Sequence, residues 1–412
     1  MKTYNNPWIF VPTAYFAEGL PYIIVNSLAV IIYKKMNIPN DILAFWTSLL
    51  YLPWAIKMIW SPFVDIYSTK RKWILSTQVL MAGFIALASF SLDSSSFLLW
   101  SMIIFSALAF LSATHDVAVD GFYMISMDDK EQAFFVGIRA FAYRLAMLFS
   151  SGVLVMWAGK LEASSGSVSY SWKVVLASAA FIMAMLSLYH RFSLPFPEKD
   201  LGSGAFDFSK YFSSIWSYFK QEKILLGILF LVFFRFGEAM LLKISAPFLL
   251  DPLEKGGIGL ATEQYGFAYG TAGLICLISG NLIGAWLISK FGLKKCMWPL
   301  ALALNVPDLV YVYMSYNLDL PKYFVYFLVA FEQFGYGLGT TAFMYYMIQM
   351  TDESNKTVHF AISTGIMAFA MMLPGMVSGK IQVAVGYPTF FVIVCLATIP
   401  GMLLIPFLKY KN

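Results

Sequence analysis

The chain has 412 residues, 59% of them hydrophobic and 12% charged, with a formal net charge of +5. Soluble domains carry roughly 25% charged residues, so this composition, with a mean hydropathy of +0.71, excludes a water-soluble enzyme or a nucleic-acid-binding module. It fits a polytopic membrane protein in which nearly the whole chain is membrane domain.

The first apolar stretch, 8–33, is long enough to span a hydrocarbon layer of about 30 Å. Only Lys2 is charged before it, and the stretch outruns a signal-peptide core, so no cleaved leader is expected. Glu18 lies at its middle, followed by Gly19 and Pro21, which are expected to interrupt the helix and expose backbone groups to a cavity. The second span, 42–65, carries Lys57 and ends in Ser61-Pro62-Phe63-Val64-Asp65. The basic cluster Lys70-Arg71-Lys72 leads into the third, 72–92. The fourth, 97–125, holds His115, Asp116 and Asp120; the fifth, 133–158, holds Arg139 and Arg144; the sixth, 171–192, stops before Pro195 and Pro197.

The longest polar connection follows, 193–222. Phe208, Tyr211, Phe212, Ile215 and Phe219 recur there at helical spacing, the pattern of an amphipathic helix lying in the membrane interface. Six more spans are expected at 223–250, 262–289, 294–316, 321–351, 356–384 and 387–408. The predicted fold is therefore all-α, with twelve transmembrane helices in two six-helix bundles, 1–192 and 223–412, joined by the linker. Cys276, Cys296 and Cys395 are far apart and lack metal-ligand spacing. Neither a metal nor a cofactor is expected.

Lysine and arginine set the orientation. Lys2, Lys70, Arg71, Lys72, Lys130, Arg191, Lys199, Lys210, Lys220, Lys223, Lys290, Lys294, Lys295, Lys356, Lys409 and Lys411 share one side; the sparser set of Lys34, Lys35, Lys160, Lys173, Lys255, Lys322 and Lys380 lies on the other. The first side is expected to be cytoplasmic, with both termini on it.

A carboxylate at a helix centre costs roughly 2.5 kcal/mol or more to insert. Glu18, Asp116, Glu238 and Glu332 are therefore candidate functional groups. Residues equally far from a hairpin turn lie at equal depth, because the rise is 1.5 Å per residue. That rule levels Glu18 with Lys57, Asp116 with Arg144, and Asp120 with Arg139. Arg235 and Glu238 are three apart and share a helix face. Glu332 has no level base in its hairpin, which makes it the first candidate proton carrier, ahead of Glu18 and Asp116. The substrate-binding candidates are Glu18, Tyr22, Lys57, His115, Asp116, Asp120, Arg144, Arg235, Glu238, Glu332 and Tyr336. His115 would relay protons or bind substrate, or else sit as a satisfied core residue. Gly335, Gly337 and Gly339 either loosen their helix or let neighbours approach closely. Asp65, with Arg71 and Lys72, is a candidate conformational latch at a helix end.

Two short turns carry basic clusters at equivalent places in the halves: Asp65 with Lys70-Arg71-Lys72, and Lys290-Phe291-Gly292-Leu293-Lys294-Lys295. They resemble the signature loop of the major facilitator superfamily. Within it, Phe16-Ala17-Glu18-Gly19-Leu20-Pro21-Tyr22, the run from Trp54 through Lys57 and Pro62 to Asp65, Ser112 to Gly121, and Phe331 to Ala342 resemble the AmpG muropeptide permeases and the related acetyl-CoA transporters. The resemblance implies alternating access and proton-driven import of GlcNAc-anhydro-MurNAc peptides from periplasm to cytoplasm during peptidoglycan recycling. It implies a bacterial inner membrane, small-molecule substrate and protons as the partners besides the bilayer, and a monomer. Glu18, Asp116 and Asp120 would bind substrate or couple protons. His115 replaces the usual Gln of the fourth helix, and Asp120-Gly121 is closer to the acetyl-CoA branch, so an acyl-CoA, sugar or other anionic solute is the alternative cargo. An intramembrane enzyme is a distant alternative, since clustered catalytic groups are lacking.

Overall fold

The computed structural model describes residues 6–197, 208–352 and 356–410. Lys2, Lys199 and part of the expected linker lie outside the described residues. Among those described, ten helices are long and apolar enough to cross a membrane. One of them, Val358–Phe407, is broken at Gly386, where φ is 76°, so it makes two passes. Lys322–Gln349 is a further helix of 28 residues. The passes fall where hydropathy places them. Helices 1 to 6 are Pro7–Lys35, Asn40–Ile59, Lys70–Ser91, Phe97–Ser126, Lys130–Ser165 and Val168–Ser193. Helices 7, 8 and 9 are Ile224–Leu250, Thr262–Phe291 and Leu293–Tyr316; helix 10 is Lys322–Gln349, and helices 11 and 12 are the two arms of Lys356–Leu404.

Contacts gather the chain into two units, Met1–Ile32 with Ile56–Phe206, and Tyr33–Ala55 with Asp207–Asn412. In the first unit, helix 1 stays α-helical through Gly19 and Pro21 to Ile23, and the expected interruption comes a turn later, as a π segment at Ile24–Leu28. Proline removes one N–H from the ladder. The register is reset after it, where the Ile24 N–H is shared by Leu20 O and Pro21 O. Gly19 serves contact rather than flexibility: a Cβ there would lie 2.8 Å from the Ala146 Cβ on helix 5. Beside helix 6, Lys173 and Ser169 bond the Asp93 carboxylate in the loop between helices 3 and 4. The lysine holds that carboxyl below its usual range.

In the second unit, helix 10 is the axle of a glycine seam. Gly335 packs on Ala303 and Pro307 of helix 9, Gly339 on Leu300 and Leu304, and Gly337 turns the other way onto Leu277 of helix 8. Lys322–Gln349 is continuous, so these glycines admit neighbouring backbones and do not loosen the helix. The same device seats the first part of helix 2 on helix 11, where Gly379 meets Asn40 O and Gly375 meets Ser48 Oγ.

The linker helix forms at Phe208–Phe219. Phe212, Trp216 and Phe219 are exposed on one stripe, while Tyr218 turns inward and its hydroxyl lies 2.9 Å from Ser363 Oγ on helix 11. The side chains of Phe208 and Lys210 lie outside the described residues.

Two outcomes test this packing. Gly335→Ala would put its Cβ 2.0 Å from Ala303 O and should destabilise by about 1–3 kcal/mol, whereas Gly83→Ala, with open space around it inside helix 3, should not lower the thermal unfolding temperature in detergent. The Asp93 contact stabilises above the ordinary aspartate value of 3.8 and is lost as pH falls below it. Protection factors of the amides in the loop 92–96, taken relative to intrinsic exchange at each pH, should therefore fall only in acid, and Lys173→Ala should lower them at neutral pH.

Candidate functional site

The first unit concentrates charge between helices 1, 2, 4 and 5. Lys57 pairs with Asp116, and both side chains are mostly buried. Arg139 donates from Nη1 to Asp120 Oδ1 at 3.1 Å and to Tyr15 Oη at 3.0 Å. Tyr15 Oη in turn donates to Asp120 Oδ1 at 2.7 Å. Glu18 sits among Asp116, Asp120, Lys57 and Arg139, and its Oε2 is buried with no hydrogen-bond partner. Lys57 and Arg139 are thus paired with Asp116 and Asp120, while Glu18 has no ion pair among the described residues.

Asp120 and Arg139 meet as their equal depth requires, but Lys57 goes to Asp116 and not to the level Glu18. Depth does not fix azimuth. Helix 2 tightens into a 3-10 turn at Lys57–Ile59, which swings the lysine around the axis. Asp116 thus pairs with Lys57, a partner that equal depth did not indicate. Tyr15 was not singled out by its sequence, since an aromatic on an apolar helix carries no mark of a hydroxyl network. Tyr22 packs its ring against Tyr143, with centroids 6.2 Å apart.

His115 adjoins Asp116 in sequence but faces away from it. Its Nε2 lies 3.0 Å from Gln78 Nε2, and Gln78 Oε1 lies 2.9 Å from His190 Nδ1. His190 Nε2 lies 2.9 Å from Thr13 Oγ1. A buried polar chain thus crosses helices 4, 3, 6 and 1; His115 joins it through Nε2, while its Nδ1 is buried without a hydrogen-bond partner.

In the second unit, Arg235 interrupts helix 7 between Phe234 and Phe236, with φ −95° and ψ −3°. It donates to Glu238 Oε2 at 2.7 Å and to Tyr336 Oη at 3.1 Å. Glu332 is 3% exposed and accepts a bond from the Gln333 amide at 2.9 Å. Lys243, five residues beyond Glu238, is not among the sequence candidates, which start from buried acids and their level bases. Its Nζ donates to Thr47 O at 3.0 Å and lies 4.9 Å from the Tyr51 ring centre. Among the described residues no carboxylate pairs with it.

A second polar knot closes one end of this unit. Lys34 Nζ donates to Asp251 Oδ2 at 2.6 Å and to Asn40 Oδ1 at 2.7 Å. Asn40 Nδ2 donates to Gln382 Oε1 and Tyr387 Oη, and Tyr387 returns a bond to Asp251. These residues border a cavity of about 340 Å³.

Of the candidate latch, Arg71 bonds the carbonyls of Arg191 and Leu194 at the end of helix 6 and stacks on Phe196. It completes a helix C-terminus, where a cation is favourable. Lys72 gives its backbone N–H to the Thr69 cap. The Asp65 side chain lies outside the described residues. Among those described, no group of three or more His, Cys, Asp and Glu side chains could hold a metal ion.

No family model matches the chain. It is 26% identical over 395 residues to the anhydromuropeptide permease of Escherichia coli strain K12, covering 95% of this chain and 77% of that one. It is 23% identical to a Rickettsia felis protein that carries the name transporter AmpG 4, covering 96% and 94%. Solved structures of a D-xylose-proton symporter and of the nucleoside transporter NupG superpose with TM-scores of 0.76 and 0.74 at 10% and 13% identity. The symporter match covers 98% of each chain, and the NupG match covers 98% of this chain and all of the other.

The Lys57–Asp116 pair gives a direct check. Lys57→Met alone should lower stability by roughly 2 kcal/mol, because it strands a mostly buried carboxylate. Lys57→Met with Asp116→Asn should recover on the order of 1 kcal/mol. Thermal unfolding of the two singles and the double measures the coupling.

Proposed function

Starting from a multi-pass secondary transporter with the major facilitator fold, and not an enzyme, we propose that the chain imports muropeptides with protons. The observation that carries this reading is the unbalanced cluster of Glu18, Asp116 and Asp120 against Lys57 and Arg139. The named function of the Escherichia coli relative supplies the cargo.

A muropeptide offers amide and hydroxyl groups on its sugars and carboxylates on its peptide. Carboxylates in a transport path accept hydrogen bonds from sugar hydroxyls and amides. Lys243, buried and without a carboxylate of its own, suits a peptide carboxylate. Proton uptake by an acidic group changes the balance of charge in the site, and that change is what couples a proton gradient to movement of the cargo. Glu332, Glu18 and Asp116 are the coupling candidates. Binding candidates are Glu18, Tyr22, Lys57, His115, Asp116, Asp120, Arg144, Arg235, Glu238, Glu332 and Tyr336.

In this reading both termini face the cytoplasm of a bacterial inner membrane, an orientation that the excess of Lys and Arg in the turns on one side supports. Alternating access follows from a fold built of two repeats, with Asp65, Arg71 and Lys72 stabilising one state. The protein would work as a monomer.

Labelled GlcNAc-anhydro-MurNAc peptide should accumulate in proteoliposomes when an inward proton gradient is imposed, and only equilibrate without one. Glu18→Gln should reduce that accumulation at least tenfold. No accumulation by folded protein rejects the muropeptide, and uptake of an acyl-CoA or another sugar under the same gradient would replace it.

A further inference from the structure

Helix 9 carries a buried acid that belongs to no ion pair. Asp308 closes the 3-10 turn Val306–Asp308 that interrupts the helix. It is 2% exposed, and its Oδ2 has no hydrogen-bond partner. Pro307 has no N–H, so the helical ladder opens at this turn. Around it, the oxygens Asn305 Oδ1 and Tyr311 Oη are also buried and unpartnered.

The packing of helices 9 and 10 places Asp308 opposite Glu332. Gly335 meets Ala303 and Pro307, and Gly339 meets Leu300 and Leu304. The helices are antiparallel, so stepping back one turn from Gly335 to Glu332 steps forward to Asp308. Both acids are also nearly equally far from the turn at 317–321. Each is in the electrostatic surroundings of Tyr311, whose hydroxyl is buried and unpartnered.

The remaining titratable groups around them offer no counter-charge. Glu238 of helix 7 acts on both acids. Tyr265 and Tyr269 of helix 8, Tyr336 of helix 10 and Cys395 of helix 12 complete the surroundings. Arg235 is committed to Glu238 and Tyr336, and Lys243 to Thr47. Among the described residues, no cation pairs with Asp308 or Glu332.

We propose that Asp308 and Glu332 form one proton-binding site, with Tyr311 as its hydroxyl bridge. Two carboxyls at one depth in a dry interior repel each other when ionised. A bound proton removes that repulsion and satisfies the free Asp308 oxygen. The site deepens the proton-coupled reading and rests on it. Both acids belong to the second unit.

The test uses the full chain in lipid nanodiscs and infrared absorption of protonated carboxyl groups at neutral pH. Asp308→Asn should remove one share of the band and shift the frequency of what remains. Glu332→Gln should do the same, and Asp308→Glu should restore the band. An unchanged band in Asp308→Asn, or a remaining band with no shift, overturns the shared site. Loss of the wild-type band when sodium replaces potassium at fixed pH overturns the proton and makes the site one for sodium. In proteoliposomes, Asp308→Asn should lose gradient-driven muropeptide accumulation at least tenfold while keeping exchange between labelled and unlabelled cargo; loss of both overturns a coupling role. If wild-type protein takes up no muropeptide, the cargo is wrong, and the infrared result decides the proton site by itself.

Discussion

Hydrocarbon cannot solvate an ion, and the polar interior of this protein is arranged around that fact. A single ionised side chain at a helix centre costs roughly 2.5–3.5 kcal/mol on insertion scales, and removing one partner of a buried pair costs more still. Lys57 with Asp116, Arg139 with Asp120, Arg235 with Glu238, and Lys34 with Asp251 are the pairs that answer this cost. Three of them tie separate helices together, and Arg235 with Glu238 pairs within helix 7. What is left over is informative: Glu18, Asp308 and Glu332 on the acidic side, Lys243 on the basic. A molecule that keeps unbalanced charge in its interior keeps it for something that arrives from outside.

Charged pairs need close backbones, and glycine supplies them. Helix 10 uses Gly335 and Gly339 against helix 9 and Gly337 against helix 8. Without a Cβ, helices approach until backbone oxygens nearly touch, and dispersion replaces the hydrophobic drive that lipid does not provide. The close approach also fixes register. Glu332 can sit level with Asp308 because the glycines one and two turns away lock the two helices in place.

The sequence made the passes legible, because hydropathy over some twenty residues depends on the bilayer and not on partners. It made Asp120–Arg139 and Arg235–Glu238 legible, since one follows from equal depth and the other from a shared helix face. It did not make the choice of Lys57 legible. A 3-10 turn at Lys57–Ile59 rotates the side chain, and azimuth leaves no trace in residue spacing. Asp308 was readable by the same rule of equal depth applied to Glu332, had acids been paired with acids. Lys243 falls outside a reading that starts from buried acids and their level bases, Tyr15 was hidden in an apolar run, and His115 was read beside Asp116 although its ring turns to Gln78.

Helices 1, 5 and 8 each contain a π segment, at Ile24–Leu28, Leu148–Leu154 and Gly266–Gly273. A π turn accommodates an additional residue within an α-helix without changing what lies on either side of it. Each segment is thus a place where chain length can change by one while the helix ends stay put. Insertions and single-residue deletions between distant descendants of this fold should gather inside these spans as well as in loops, and a comparison that allows gaps only between helices would misalign every residue from the π turn to the helix end.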